Sequence, residues 1–193
     1  DARVTIDDAT IRGGTVIISG NANTVANDLG QQTSDFVTAQ SLEVGDSKAS
    51  ATATIDIGKD ATATTTIFAE TLTIAAVATA MGYSQPMGFS LAVAYASSTA
   101  DAEVHVGNAR ITTTSDCSLT ARADSTTLVT AFATNEDFPA GQPLKKATGR
   151  DTSSTPFAVG IAIGNLSATS SVSTLPSTVL QVGGNLIVLA DTV

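Results

Sequence analysis

Hydrophobic and polar residues alternate strictly along two similar stretches of the chain. In ATATIDIG (51–58), Ala and Ile alternate with Thr and Asp, and in ADAEVHVG (100–107), Ala and Val alternate with Asp, Glu and His. A β-strand points successive side chains to opposite faces, so each stretch predicts a strand with one apolar and one polar face. A glycine ends both stretches and predicts a turn at the same place in each.

Both stretches belong to a longer repeat. SLEVGDSKASATATIDIG (41–58) aligns without a gap with SLAVAYASSTADAEVHVG (90–107), and a third copy begins at Phe157, which aligns with Phe89. We therefore treat residues 1–193 as a single segment that begins and ends inside a repeat, as expected for part of a longer protein. Its units are a partial repeat and three repeats, namely 1–40, 41–88, 89–156 and 157–193.

Self-similarity at a fixed spacing favours stacked coils over a sandwich of hairpins. Hairpins favour Asn-Gly or Asp-Gly turns, and neither dipeptide occurs in the chain. The predicted fold is all-β, a right-handed parallel β-solenoid with about 24 residues per coil and two coils per repeat of about 49 residues. One internal column of this fold is predicted to contain Ile55, Ile57, Val104, Val106 and Val172.

The first three of these units each carry an insertion after the same predicted strand, so the loops should emerge on one side. The three insertions are 27–40, 81–88 and 132–156. The last one carries the loop patch, which we define as Lys145, Lys146, Arg150 and Phe138. Such insertions often bind partners, and this basic patch in a chain of net charge −9 predicts an anionic glycan or the acidic flank of a neighbouring copy. A flexible loop kept soluble by its charges is the alternative.

The composition excludes several classes of function. Hydrophobic residues make up 42% of the chain but aromatic residues only 4%, which suits narrow, repeated layers better than the core of a globular enzyme. The 18 acidic and 9 basic residues oppose binding to nucleic acid. A single cysteine, Cys117, can form neither an internal disulfide nor a Cys-based metal site, and we interpret it as a packing residue. No stretch predicts a transmembrane segment.

Candidate catalytic groups lie on the polar faces of the predicted strands. Asp101 and Glu103 would be about 7 Å apart on one face, a separation at which an acid and a base can cooperate. Asp56 would stack near His105, the single histidine of the chain. However, the repeat equivalent of Glu103 is Thr54 in one copy and Ser in another, which favours a solvated face. We predict no catalytic residue, and a carbohydrate-active β-helix enzyme is the alternative.

No metal site or cofactor is predicted either. The carboxylates of Asp7 and Asp8 are too few to supply the six to eight oxygens that Ca²⁺ needs, although a corner could hold calcium adventitiously. Thr52 and Thr54 suggest a third function, ice binding by a regular threonine array. Asp101 interrupts that array in the next repeat, so this alternative is the least favoured.

The recurring cadence A-x-A-x-[IV]-x-[IV]-G, followed by [IV]-T and L-T-[IV]-x-A, resembles the β-helical stalks of large bacterial surface and secreted proteins. Filamentous-haemagglutinin-like adhesins and autotransporter passengers are the nearest types, and the resemblance covers nearly the whole chain outside the insertions. It implies a non-enzymatic rod outside the cell or on its surface, which presents loops to hosts, surfaces or sister cells. Copies of the chain or adjoining repeats are the expected partners. The resemblance involves core positions only and transfers no site residue.

Overall fold

The structure, a computed structural model, describes residues 1–28, 31–32, 42–88, 91–133 and 159–193. The regular elements within these ranges are β-strands, and the described part of the chain contains no helix long and apolar enough to cross a membrane. In chain order the strands are β1 (Ala2–Ile6), β2 (Thr10–Asp28), β3 (Gln31–Gln32), β4 (Leu42–Ile57), β5 (Thr65–Ser84), β6 (Met87–Gly88), β7 (Leu91–Val106), β8 (Ala109–Thr113), β9 (Cys117–Val129), β10 (Phe132–Ala133), β11 (Val159–Thr174), β12 (Val179–Val182) and β13 (Leu186–Thr192).

These strands form two main sheets in which the long strands are parallel. The first sheet has the order β1-β4-β7-β11, and the short β3 joins β4 in antiparallel orientation. In the second sheet β2 pairs with β5, β5 pairs with both β8 and β9, and these two pair with β12 and β13. The chain therefore passes from the first sheet to the second and back, and each such circuit stacks on the one before it.

The register of the first sheet gives the length of one circuit. Ile55 of β4 pairs with Val104 of β7, which pairs in turn with Val172 of β11. The separations in sequence between these paired residues equal the offsets between successive repeats. One repeat therefore corresponds to one circuit. The register thus corrects the prediction of two short coils to each repeat. The reason is strand length, because β4 and β7 each have 16 residues and β5 has 20.

The side chains between the two sheets change in size along the circuit. Large aliphatic side chains fill the end near the Gly58 corner, and alanines fill the remainder. The fully buried large residues include Ile55, Ile57, Val104, Val106, Ile67, Leu72, Ile74, Ile111 and Leu119, whereas the alanines include Ala51, Ala78, Ala80, Ala94 and Ala96. Val172, in the last circuit, is partly buried against the same core. A core that narrows to alanine has no room for aromatic rings, which explains their scarcity.

Two stacked glycines turn the chain from the first sheet into the second. Gly58 has a φ of +63°, a conformation that residues with a Cβ rarely adopt. Gly107 lies against it in the next circuit, and a Cβ on Gly107 would collide with the carbonyl oxygen of Gly58. The Gly107 amide donates to the carbonyl of Ile57 over 2.7 Å, so the hydrogen-bond ladder continues around the corner.

All three insertions leave the second sheet at the same strand end and rejoin the first sheet at the same strand start. The residues after which they leave are register partners, and so are the residues at which they return. The leaving row is Asp28, Ser84 and Val129, and the returning row is Leu42, Leu91 and Val159. The repeat alignment predicted insertions on one side of the stack, because insertions that follow equivalent strands must leave from equivalent strand ends.

Candidate functional site

The predicted loop patch lies outside the described residues. Lys145, Lys146, Arg150 and Phe138 all fall within 134–158, so their role in binding stays a prediction. The described residues that lead into this insertion form β10, where Phe132 pairs with Met87 of β6. Both side chains are more than half exposed, so the base of the insertion presents apolar surface.

Three polar side chains form a hydrogen-bonded chain on the outer face of the first sheet. His105 of β7 and Ser173 of β11 are register partners, and Nδ1 of His105 lies 2.6 Å from Oγ of Ser173. On the other side of the ring, Nε2 lies 3.1 Å from Oε2 of Glu103. With its proton on Nε2, the imidazole donates to the carboxylate and accepts from the serine hydroxyl. The sequence reasoning missed Ser173, although the offset between the second and third repeats, applied to His105, would have found it.

This chain has the order of an acid–histidine–serine triad, but the serine meets Nδ1 and the acid meets Nε2. Hydrolytic triads have the opposite assignment and add donors for the developing oxyanion. Ser173 and Glu103 lie on the exposed outer face of the sheet. The geometry directly supports a bridge that ties β7 to β11 through their side chains.

Asp56 is committed to an ion-pair cluster rather than to His105. The two residues are register partners, as the repeat predicted. However, the Asp56 carboxylate lies 2.7 Å from Nη2 of Arg3 and 3.2 Å from Nζ of Lys59. Its side chain is only 1% exposed, so both cations serve to compensate a buried charge. This cluster ties the first circuit to the second.

The two strand-face carboxylates do not form a metal site. Asp101 and Glu103 lie on the same outer face of β7, two residues apart, and Glu103 contacts His105. Among residues 1–28, 31–32, 42–88, 91–133 and 159–193, no group of three His, Cys, Asp or Glu side chains could hold a metal ion.

Asp8 fixes the corner between β1 and β2 instead of offering a free carboxylate. Its Oδ1 accepts the Ala63 amide at 2.7 Å and its Oδ2 accepts the Thr62 hydroxyl at 2.9 Å. These bonds, the Ala63 amide first, hold the pKa of Asp8 below its usual value. The corner of the first circuit is thereby attached to that of the second.

Cys117 is a core residue. It begins β9, where it pairs with Leu72 of β5 and Leu186 of β13, and it is a buried free thiol. Burial raises its pKa, so at neutral pH it carries its proton and is a poor nucleophile.

The last circuit presents a broad apolar surface. Side chains of β11 and β13 that continue buried rows of the previous circuit are themselves exposed. They include Leu166, Leu186 and Val188, which pair with Ser98, Cys117 and Leu119.

Comparison of the chain with protein-family models, with curated proteins and with solved structures finds no match.

Proposed function

We propose that this chain is a segment of a β-solenoid rod, with a structural and adhesive role in a large bacterial protein that is extracellular or on the cell surface. The observation that carries the proposal is the stacking of successive circuits in register, in which Ile55, Val104 and Val172 occupy one row. Such a stack lengthens by adding circuits and needs no new core design, which is how repeat proteins build extended rods.

The proposed rod winds with a right-handed sense. A strand, its crossover and the next parallel strand of the same sheet form a right-handed unit in about 98% of known cases. Here each passage through the second sheet is such a crossover between strands of the first sheet, for example from β4 to β7 through β5. One circuit then advances the rod by about 4.8 Å, the spacing of neighbouring strands in a sheet.

The adhesive part of the proposal depends on the insertions. They leave the stack after Asp28, Ser84 and Val129, which are register partners, so consecutive loops would form a row along one edge of the rod. A row of loops on one side suits contact with an extended partner such as a glycan. The loop patch, with Lys145, Lys146 and Arg150, is the cationic part of that row in a chain of net charge −9.

Deletion of residues 135–155 tests the adhesive role. The variant should fold, because the insertion that follows Ser84 is much shorter and leaves from the same row. Beads coated with the variant should attach less to glycan-coated surfaces than beads coated with the parent, most clearly at low salt, where screening is weakest. The triple variant Lys145→Gln, Lys146→Gln, Arg150→Gln keeps the loop length and serves as the matched control for charge. Equal attachment of all three proteins at every ionic strength would overturn this role.

A carbohydrate-active enzyme is the second candidate, and one observation favours it. Asp101 and Glu103 share an outer strand face, and Glu103 contacts His105, so a carboxylic acid and a second titratable group adjoin. Incubation of the purified chain with a panel of anionic and neutral polysaccharides, followed by an assay for new reducing ends or unsaturated uronates, tests it. Activity that disappears in Glu103→Gln, with an unchanged melting curve, would establish the enzyme and overturn the purely structural role.

A further inference from the structure

Most of the described cationic side chains are neutralised by a carboxylate, but two are not. The structure describes six of the nine lysines and arginines, and four of these form ion pairs. The pairs are Arg3–Asp56, Lys59–Asp56, Lys48–Asp46 and Arg122–Asp124. Within the same ranges of the chain, Arg12 and Arg110 have no carboxylate oxygen within 4.0 Å. The chain has 18 acidic residues, so this is not a consequence of too few acids.

Arg12 and Arg110 lie on the same outer face of the second sheet, on either side of Phe68. Arg12 of β2 is the register partner of Phe68 of β5. Arg110 of β8 is the register partner of Thr66, which precedes Phe68 by two residues and faces the same way. From the usual spacings of parallel strands and of residues along them, the two arginine Cα atoms are roughly 12 Å apart. We call Arg12, Thr66, Phe68 and Arg110 the arginine face.

Phe68 and Arg110 belong to inner circuits, so their exposure does not depend on where the stack begins or ends. β5 lies between β2 and β8, and β8 lies between β5 and β12. Phe68 is nevertheless 37% exposed, and Arg110 is exposed on the outer side of its strand. The residues beside Arg110 in its row, Thr66 and Val179, carry no charge. The folded stack thus leaves this guanidinium available to an anion from solution.

Phe68 positions the second guanidinium. Cζ of Arg12 lies 5.0 Å from the centroid of the Phe68 ring, within the range of a cation–π contact. This contact orders the long side chain without using its N–H groups as hydrogen-bond donors, because the attraction acts between the positive charge and the ring face. Arg12 therefore loses less conformational entropy on binding an anion than an unrestrained arginine would.

We propose that the arginine face binds an anionic polysaccharide, whose carboxylate or sulfate groups contact Arg12 and Arg110. A guanidinium presents its N–H donors in a fork that matches two oxygens of one acidic group. A single exposed ion pair contributes little, so a small monoanion would bind weakly. A polymer with acidic groups on successive sugars can reach both arginines at once, and its second contact forms at a high effective concentration.

The proposal rests on the adhesive role proposed above and adds a second site to it. The second insertion leaves the stack after Ser84, at the opposite end of β5 from Phe68. A polysaccharide bound at the arginine face is therefore held by a flat strand face and not by a loop. Its binding can be measured separately from attachment through the loop patch.

Titration of fluorescently labelled polygalacturonate with the purified chain, followed by fluorescence anisotropy, tests the site. At about 0.15 M salt, the screening length of about 8 Å weakens repulsion from distant carboxylates but preserves direct contacts. Arg110→Gln should weaken binding by about three- to fivefold, and Arg12→Gln together with Arg110→Gln by about tenfold or more. Arg122→Gln is the matched control, because it removes the same charge from an exposed position of the same sheet where Asp124 already pairs with the arginine. This control should bind like the parent.

Two further variants test the orientation of Arg12 and the sign of the charge. Phe68→Leu keeps an apolar side chain but removes the ring that holds Arg12. It should weaken binding in the parent and have no further effect in Arg12→Gln, whereas additive losses would overturn the positioning role. Glu70 is exposed on the same face, two residues after Phe68. Glu70→Gln should strengthen binding by about twofold, a gain that damage to the fold could not produce.

Other polymers identify the ligand chemistry. Dextran sulfate should also bind in a manner that depends on Arg110, and the tighter of the two polyanions identifies carboxylate or sulfate as the preferred group. Neutral dextran should not bind, and its binding as tightly as polygalacturonate would overturn the proposal. Equal affinities of Arg110→Gln and Arg122→Gln would do the same. Tighter binding of double-stranded DNA than of either polysaccharide would overturn the assignment of the ligand as a sugar.

The arginine face and the loop patch can fail independently. In the chain that lacks residues 135–155, the loss of affinity caused by Arg110→Gln should be the same as in the parent. If that loss is seen while the deletion leaves attachment unchanged, the loop patch is wrong and the arginine face stands. The converse result would overturn the arginine face and leave the adhesive role of the insertions intact.

Discussion

Ile55 and Val104 lie side by side in one inward-facing row, although they belong to successive repeats of the chain. Both are completely buried, and Val4 and Val172 extend the row to either side. The row connects all four circuits of the stack. Its central members have no access to water, so a charge there has no means of solvation.

Val104→Asp should therefore abolish cooperative folding. An unpaired carboxylate in a dry core costs several kcal/mol, which is comparable with the whole stability of a domain. Thermal and urea denaturation followed by circular dichroism would measure the loss. Val44→Asp is the control, since it adds the same charge at a half-exposed outer position. A Val104→Asp variant that melts like the parent would show that the row does not face the core.

The alternation of apolar and polar residues was sufficient to place individual side chains, because period two directly reports the two faces of a strand. The offset between the repeats likewise matched Ile55 with Val104. The length of a coil could not be predicted in this way, because alternation does not show how far a strand extends before the chain turns. β5 runs from Thr65 to Ser84 as one strand, and no proline within it marks an end. Nor does alternation reveal ion pairs such as Arg3–Asp56, because it shows the face of a side chain and not its rotamer.

Gly107→Ala should destabilise the stack much more than Gly14→Ala. A Cβ on Gly107 would overlap the Gly58 carbonyl, which cannot move because the Asn108 amide donates to it over 2.7 Å. At Gly14 the nearest atom to a new Cβ is Oε2 of Glu70, 3.9 Å away, in an exposed region. Urea denaturation should show a loss of about 2 kcal/mol or more for Gly107→Ala. If both variants lose equal stability, the close approach of the two corners is not real.

Asp8→Asn should remove part of the acid sensitivity of the protein. The pKa of Asp8 is lowered by the Ala63 amide and the Thr62 hydroxyl, so its ionised form stabilises the fold above the ordinary aspartate pKa. That contribution is lost as the pH falls through the lowered pKa of the folded state. The parent should thus melt at a higher temperature than Asp8→Asn at pH 7, and the difference should shrink as the pH falls below the ordinary aspartate pKa and through the lowered pKa of Asp8. Asparagine tolerates the positive φ of 51° at this position, so backbone strain would not confound the comparison. If the two melting temperatures differ by the same amount at every pH, the ionised form of Asp8 is not the source of the acid sensitivity.

Duplication of one circuit tests the assignment of one repeat to one circuit. A second copy of residues 58–106, inserted after Val106, begins at the Gly58 corner and ends where β7 ends, so it supplies one more strand to each sheet. The five-circuit protein should fold cooperatively, with a urea m-value increased by roughly a quarter, because m scales with the surface exposed on unfolding. Its stability should also rise, since the added circuit forms one more interface with a neighbour.

The matched control duplicates 83–106, which is the length of the short coil that the register excludes. This shorter insertion adds a strand to the first sheet without one in the second and should prevent cooperative folding. Tolerance of the shorter duplication together with failure of the longer one would show that the circuit has been assigned incorrectly.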